Sequence, residues 1–209
     1  MRIDLIDAGK RFNRDWIFRH LHYTFSNNCS YAITGPNGSG KSTLLQIIAT
    51  ASTISEGSVS YFNNHSAIAP EKTFKHFSIA APYLDLIEEM TLLEMISFHN
   101  KMKPLISHLS ISEIISIIGL KNSTNKQIRY FSSGMKQRVK LALAIFTDVR
   151  IILLDEPCSN LDTAGILLYH ELIKEFANQK LIIISSNDQK EYAFVNKVIN
   201  MDALNEFKN

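Results

Sequence analysis

Between an apolar run ending at Ile33 and a helical-looking run beginning Leu44-Leu45-Gln46-Ile47-Ile48 stands the segment Gly35-Pro36-Asn37-Gly38-Ser39-Gly40-Lys41-Ser42-Thr43. Glycines at 35, 38 and 40 let the backbone turn sharply and point successive N–H groups inward, where main-chain donors can hold phosphate oxygens. The following helix aims its positive end at the same point. Lys41 adds a mobile cation for terminal phosphates, and the Ser42 hydroxyl is placed to join the coordination shell of a magnesium ion. The spacing is complete, and it predicts a phosphate-binding loop of Gly35, Asn37, Gly38, Ser39, Gly40, Lys41, Ser42 and Thr43. A glycine-rich turn before a helix can also be no more than a turn, and a strand ending in acids further along would separate the two readings.

Ile151-Ile152-Leu153-Leu154-Asp155-Glu156-Pro157 is that strand. Its apolar residues do not alternate, so both faces are expected to be buried in the middle of a parallel sheet. The carboxylates then stand at its carboxyl end, where open parallel sheets bind ligands. Asp155 can hold magnesium, directly or through water, and Glu156 can orient or deprotonate a water that attacks a terminal phosphate. A second anion-compatible helix start, Tyr130-Phe131-Ser132-Ser133-Gly134-Met135-Lys136-Gln137-Arg138, lies about a hundred residues beyond the first.

The rest of the chain supplies a frame for these segments. Ile3 to Ile6 predicts a short strand, Asp7 to Asp15 a turn-rich stretch, and Leu21, Tyr23 and Phe25 alternate with polar residues as in a half-exposed strand. Asn27-Asn28 predicts a turn, followed by an inner strand from Cys29 to Ile33, then a helix from Ser42 to Ala51. Glu56-Gly57-Ser58 predicts a turn, Val59 to Phe62 a strand, Asn63-Asn64 another turn and Phe77 to Ala80 a strand closed by Pro82. The periodicity then becomes helical: Thr91-Leu92-Leu93-Glu94 and Ser110-Ile111-Ser112-Glu113 are capping boxes, with Pro104 and Gly119 as the matching stops. A helix through Ile173 and Phe176 follows Asp162, then come a buried strand, Leu181 to Ile184, and a last short strand from Val198 to Met201. The expectation is an α/β fold with a mostly parallel sheet, an N-terminal antiparallel subdomain and a helical insertion of about 84–134, within one domain spanning 1–209. Phe12, and less so Trp16, could stack on a base lying beyond the phosphates.

Composition narrows the class. With 209 residues, 45% hydrophobic, the chain can bury one good core, and its net charge of +2 is scattered rather than blocked, which gives no sign of nucleic acid. Two distant cysteines, Cys29 and Cys158, fit a reducing compartment. The start Met1-Arg2-Ile3-Asp4 lacks an apolar signal core, and no run approaches the ~18 apolar residues of a membrane span. The expected place is the cytoplasm, on the cytoplasmic face of a membrane if the chain serves a membrane process; another chain must then cross the bilayer.

Gly35 to Thr43, Phe131 to Met135, Ile151 to Glu156 and Ser159 to Asp162 together resemble, in order and spacing, the nucleotide-binding subunit of ATP-binding cassette transporters, a phosphate-loop NTPase family. The resemblance spans nearly the whole chain, and Ser132 to Arg138, which looks like the family signature, is its most diagnostic part. It implies ATP and Mg2+ as cofactors, and hydrolysis of ATP to drive a membrane-spanning transporter subunit. It also implies a homodimer or heterodimer in which ATP lies between the phosphate loop of one subunit and the signature of the other. By the same resemblance Phe12 would stack on adenine, Ser132 and Gly134 would touch the γ-phosphate of ATP held by the partner, and Asp162 would link the two sites. Ser133 and Met135 depart from the usual glycine and glutamine, as in exporter branches of the family, and the small size is similar to that of small exporter cassettes.

Two further departures touch the chemistry. The family ends the strand before the helical lobe with a glutamine that contacts magnesium, whereas Ala81-Pro82-Tyr83 stands there. The histidine that ends the strand after the acidic one is replaced by Asn187, so secure binding with slow hydrolysis is expected. Two other classes stay open on sequence alone: a degenerate subunit that holds ATP beside an active partner, and a non-transport cassette ATPase. The transported substrate is not written in this chain.

Overall fold

The structure, a computed structural model, describes residues 1–27, 29–64 and 66–204. Five strands form an all-parallel sheet in the order β6-β7-β8-β3-β9: β3 (Ser30–Thr34), β6 (Phe77–Ala80), β7 (Ile151–Asp155), β8 (Leu181–Ser185) and β9 (Lys197–Asn200). A separate antiparallel sheet has the order β2-β1-β4-β5, from β1 (Arg2–Phe12), β2 (Asp15–Ser26), β4 (Glu56–Asn63) and β5 (Ser66–Ala67).

The runs of Ile and Leu in β7 and β8 are buried on both faces, and period two divides them between two cores. Ile152, Leu154, Ile182 and Ile184 face one core, shared with α2 (Leu92–Met102), α3 (Ile111–Ile117), α4 (Ser133–Ile145) and α5 (Thr163–Phe176). Ile151, Leu153, Leu181 and Ile183 face the other, shared with α1 (Lys41–Ile48) and with Ile3, Leu5, Phe18 and Phe25 of the antiparallel sheet. One sheet therefore holds together a helical side and a β side. Two short helices complete the described chain, α6 (Gln189–Tyr192) after β8 and α7 (Met201–Leu204) after β9.

Both capping boxes form. Thr91 Oγ1 accepts from the Glu94 N–H at 3.3 Å while Glu94 Oε2 accepts from the Thr91 N–H at 2.8 Å, and Ser110 and Glu113 repeat the exchange; each cap is worth about 1 kcal/mol. Gly119 at φ 73° closes α3, with the Leu120 N–H on the Ile115 carbonyl and the Gly119 N–H on that of Ser116.

Three expectations are corrected. The first strand does not stop at Ile6 but runs to Phe12, because a bulge at Asp7, φ 50°, absorbs the irregular stretch without ending the pairing. Gly57 is not in a turn but inside β4, at φ 75°, where a Cβ would collide with the Asp7 carbonyl; the glycine admits the bulge. The helix after the glycine-rich loop ends at Ile48 rather than Ala51, since Thr50 takes the left-handed conformation, φ 55°, and supplies the stop usually signalled by glycine. The turn at Asn27-Asn28 lies partly outside the described residues, and β9 ends at Asn200, one residue short of Met201.

Lys180, just before β8, donates to the carbonyls of Ile145 at 2.8 Å and Thr147 at 2.9 Å and so ties the sheet to the end of α4. Burial pushes its ammonium down from 10.5 to about 8, with Asp148 pulling the other way. Between those values the unfolded chain binds more protons than the folded one, so this residue makes stability rise with pH from about 8 to 10.5. Unfolding free energies across that window are expected to rise more steeply for the parent than for Lys180→Met; equal slopes in the two would contradict the assignment.

Candidate functional site

The loop between β3 and α1 takes its shape from Gly35, Gly38 and Gly40, at φ 141°, 82° and 100°. Gly40 is the position that most needs glycine: it is the first residue outside α1, and a Cβ there would collide with Ile17 of β2. No side chain caps α1, so its first N–H groups face the loop. Lys41 is buried, and its ammonium lies across the loop, donating to the carbonyls of Gly35 at 2.7 Å and Pro36 at 3.1 Å. The buried Ser39 hydroxyl has no hydrogen-bond partner among the described residues. An open cavity of about 410 Å³ is lined by Asn37, Gly38, Gly40, Lys41, Ser42 and Thr43 of the loop, by Ile17 and by Glu156.

The two adjacent acids have opposite surroundings. Asp155, the last residue of β7, is 2% exposed, and its Oδ1 has no hydrogen-bond partner among the described residues. Burial pushes its carboxyl above the ordinary range and Glu156 adds to this, while the hydroxyls of Ser185 and Ser42 and the charge of Lys41 pull the other way. Glu156 points outward from a backbone at φ 44°, with its N–H on the Ser185 carbonyl at 2.9 Å and the Ser159 hydroxyl donating to its Oε2 at 3.4 Å. A buried carboxylate oxygen lacking a donor, facing a serine hydroxyl and a lysine, fits a hard divalent cation between protein and phosphate oxygens.

Asn187, beyond β8, reaches the same loop. Its Oδ1 accepts from the Gly35 N–H at 3.1 Å and its Nδ2 donates to Asn37 Oδ1 at 3.4 Å. Tyr83, in the Ala81-Pro82-Tyr83 stretch where the family resemblance expects glutamine, stands near Gln46 of α1 and Asp155; burial and the Asp155 charge raise its phenol, and Gln46 lowers it. Burial also pushes the Cys158 thiol up to about 12, which leaves it inert.

Phe12, Trp16, Ser132 and Gly134 lie apart from this cavity. Phe12 is half-exposed at the end of β1, with the Lys10 ammonium 4.7 Å over its ring, and does not line the cavity. The β-sheet side chain that does is Ile17. Trp16 is occupied by Arg19 at 4.2 Å and Arg11 at 5.5 Å. Ser132 and Gly134 line a second cavity of about 490 Å³, with Arg138 and Asp162, that shares no residue with the first. There Ser132 caps α4 by accepting from the Met135 N–H at 3.2 Å, and a Cβ on Gly134 would press against the Asn160 carbonyl.

Sequence reasoning missed Ile17, Gln46 and the Asn187–Asn37 contact. Ile17 is one apolar residue in an alternating strand, and the other two pairs are joined only by folding. Residues 18–159 match the profile of the ABC transporter family. An uncharacterized ABC transporter ATP-binding protein of Bacillus subtilis, YybJ, is 30% identical over 195 residues, 90% of this chain and 86% of the relative. The chain belongs to the ABC transporter family. A cytochrome c biogenesis ATP-binding export protein, CcmA of Xylella fastidiosa, is 31% identical over 73% of this chain and 71% of its own length. Among solved structures, a putative ABC transporter ATP-binding protein from Pyrococcus furiosus shares the fold, with a TM-score of 0.81 at 19% identity over 97% of this chain and 98% of that one. The fold is that of phosphate-loop NTPases, and as a member of the ABC family the chain is an ATP-binding ATPase.

Asp155 gives a direct test of the site. Asp155→Asn removes a buried charge and sets an amide beside the Ser185 hydroxyl. The nucleotide-free variant is expected to melt about 2–4 °C higher for each ~1 kcal/mol of relieved strain, while magnesium-dependent ATP binding weakens. A melting temperature at or below the parent's would show that Asp155 is not an electrostatic liability in the empty site.

Proposed function

We propose that this chain is the ATP-hydrolysing subunit of a transporter, an exporter, whose membrane-spanning part is a separate chain, and that two such subunits close on ATP head to tail. The observation that carries the reading is the separation of the two cavities. One is lined by the phosphate loop and Glu156, the other by Ser132 and Gly134, and neither encloses a nucleotide by itself. A second cassette, identical or different, completes both by setting its signature over the phosphate loop.

In this reading residues 1–209 work as one nucleotide-binding unit. Lys41 and the loop N–H groups of Gly38, Ser39, Gly40, Ser42 and Thr43 bind the phosphates, with Gly35 and Asn37 shaping the loop. Ser42 and Asp155 hold Mg2+, which when bound supplies charge neutralisation on the phosphate oxygens. Glu156, outward-facing beside that cavity, orients or deprotonates the attacking water. Asn187 offers a neutral donor where a histidine would offer a better placed one, so turnover is slow. Phe12, half-exposed at the end of β1, stacks on adenine beyond the phosphates.

Among the described residues no helix is long and apolar enough to cross a membrane, and in this reading a partner chain makes the crossing. Leu84, Ile87, Leu93, Phe98 and Met102 are exposed within the helical insertion of about 84–134, the region we assign to that partner on the cytoplasmic side. The export direction is supported by the likeness to the Xylella fastidiosa protein, named for export. No nucleic acid is assigned a role.

Lys41→Ala is expected to abolish ATP turnover with the fold retained, because it removes the cation at the centre of the loop. Parent-like hydrolysis in that variant would refute the loop's role. Glu156→Gln with ATP is expected to elute as a stable dimer in size-exclusion chromatography; a chain monomeric at saturating ATP, alone and with its partner, would count against the sandwich. One well-placed donor is worth roughly 3 kcal/mol in the transition state, so Asn187→His is expected to raise turnover at least about tenfold with near-parent affinity. An unchanged rate would remove Asn187 from the reacting site.

A further inference from the structure

The buried acid Glu191 and the buried amide Gln137 have no part in the mechanism above, yet they meet at one peptide group. Gln137 Nε2 donates to the Pro157 carbonyl at 2.7 Å, and Glu191 Oε1 accepts from the Cys158 N–H at 2.7 Å. Those two backbone atoms are the opposite ends of the Pro157–Cys158 peptide, which begins one residue beyond Glu156. We propose that Gln137 and Glu191 are positioning residues: by holding this peptide at both ends they fix the direction of Glu156 and link it to the chain's own signature cavity. This rests on the reading of the site given under the proposed function.

The two side chains come from elements that belong to different half-sites. Gln137 stands on α4, three residues after Gly134 and on the helix that Ser132 caps. Glu191 stands on α6, four residues after Asn187, and the Tyr169 hydroxyl of α5 anchors its carbonyl at 2.9 Å. Both are almost fully buried, at 4% and 5% exposure, so solvent does not compete for the bonds. A peptide group is planar, and proline fixes its own φ, so holding the carbonyl and the N–H sets the plane and the exit from Glu156 together. Glu156 at φ 44° and Asn160 at φ 64° are conformations that a non-glycine residue keeps only under such constraint. Burial pushes the Glu191 carboxyl above its ordinary value, against the Ser186 hydroxyl and the Cys158 N–H, and its Oε2 has no hydrogen-bond partner among the described residues. A carboxylate is thus kept in an unfavourable place where its one strong bond is to this peptide.

The test uses the full chain with Glu191→Ala, Glu191→Gln, Gln137→Ala and the double variant Gln137→Ala/Glu191→Ala. Amide hydrogen exchange at Cys158 and steady-state ATP hydrolysis are read side by side. Expected are exchange at Cys158 at least about tenfold faster in Glu191→Ala with β7 amides unchanged, and kcat lower by roughly 10- to 100-fold with KM within about threefold. Glu191→Gln keeps the acceptor for the Cys158 N–H and is expected to recover most of the lost kcat. Because both residues hold one group, the double variant is expected to be no worse than about twofold below the poorer single variant. Accelerated exchange with unchanged kcat, a loss confined to KM, or losses that multiply in the double variant would each overturn the proposal. Should Glu191→Ala not fold, Gln137→Ala and Glu191→Gln decide by the same readings. A parent chain that neither binds nor hydrolyses ATP would overturn the functional reading instead, a failure distinct from one seen only in the variants.

Discussion

Asp155 is the constraint around which the rest is arranged. Its carboxylate sits at the end of a strand buried on both faces, where removal from water disfavours its charge, and among the described residues no donor compensates Oδ1. Such a group persists when the surrounding structure holds it and a ligand repays it. The Ser42 and Ser185 hydroxyls and the Lys41 ammonium lower the penalty, and all three come from segments at the carboxyl ends of β3 and β8 or just beyond them. The parallel order β7-β8-β3 brings those ends side by side. The sheet is therefore the device that gathers charge at one edge.

The same sheet explains why the molecule offers two separate open cavities rather than one closed pocket. Alternate residues of β7 and β8 face two different cores, so the antiparallel sheet and α1 pack on one side and α2 to α5 on the other. The phosphate loop grows out of the first side and Ser132 and Gly134 out of the second. Each cavity is open, and the turn that follows β7 borders both, with Glu156 lining the first and Asp162 the second.

That turn carries more constraint than its length would indicate. It contains two non-glycine residues at positive φ, the outward acid Glu156, and a peptide held by side chains from α4 and α6. Backbone in this state is stabilised by its surroundings rather than by its own residues.

Residues adjacent in sequence determined much by themselves. The glycine spacing of 35, 38 and 40, the unbroken apolar run before Asp155, the two capping boxes and the Gly119 stop are local signals, because φ preference, both-face burial and capping depend on neighbouring residues. They sufficed for the parallel sheet, the antiparallel opening and the placing of the loop next to a helix. Only the tertiary structure decided that Asp155 turns inward and Glu156 outward, that Ile17 rather than Phe12 borders the cavity, and that Asn187 closes on Asn37 and Gly35. The same is true of Thr50 acting as a helix stop and of Gly57 serving the bulge at Asp7. In each case the partners are separated by tens of residues or more, or the conformation is one a residue adopts only under packing, and no local preference encodes it.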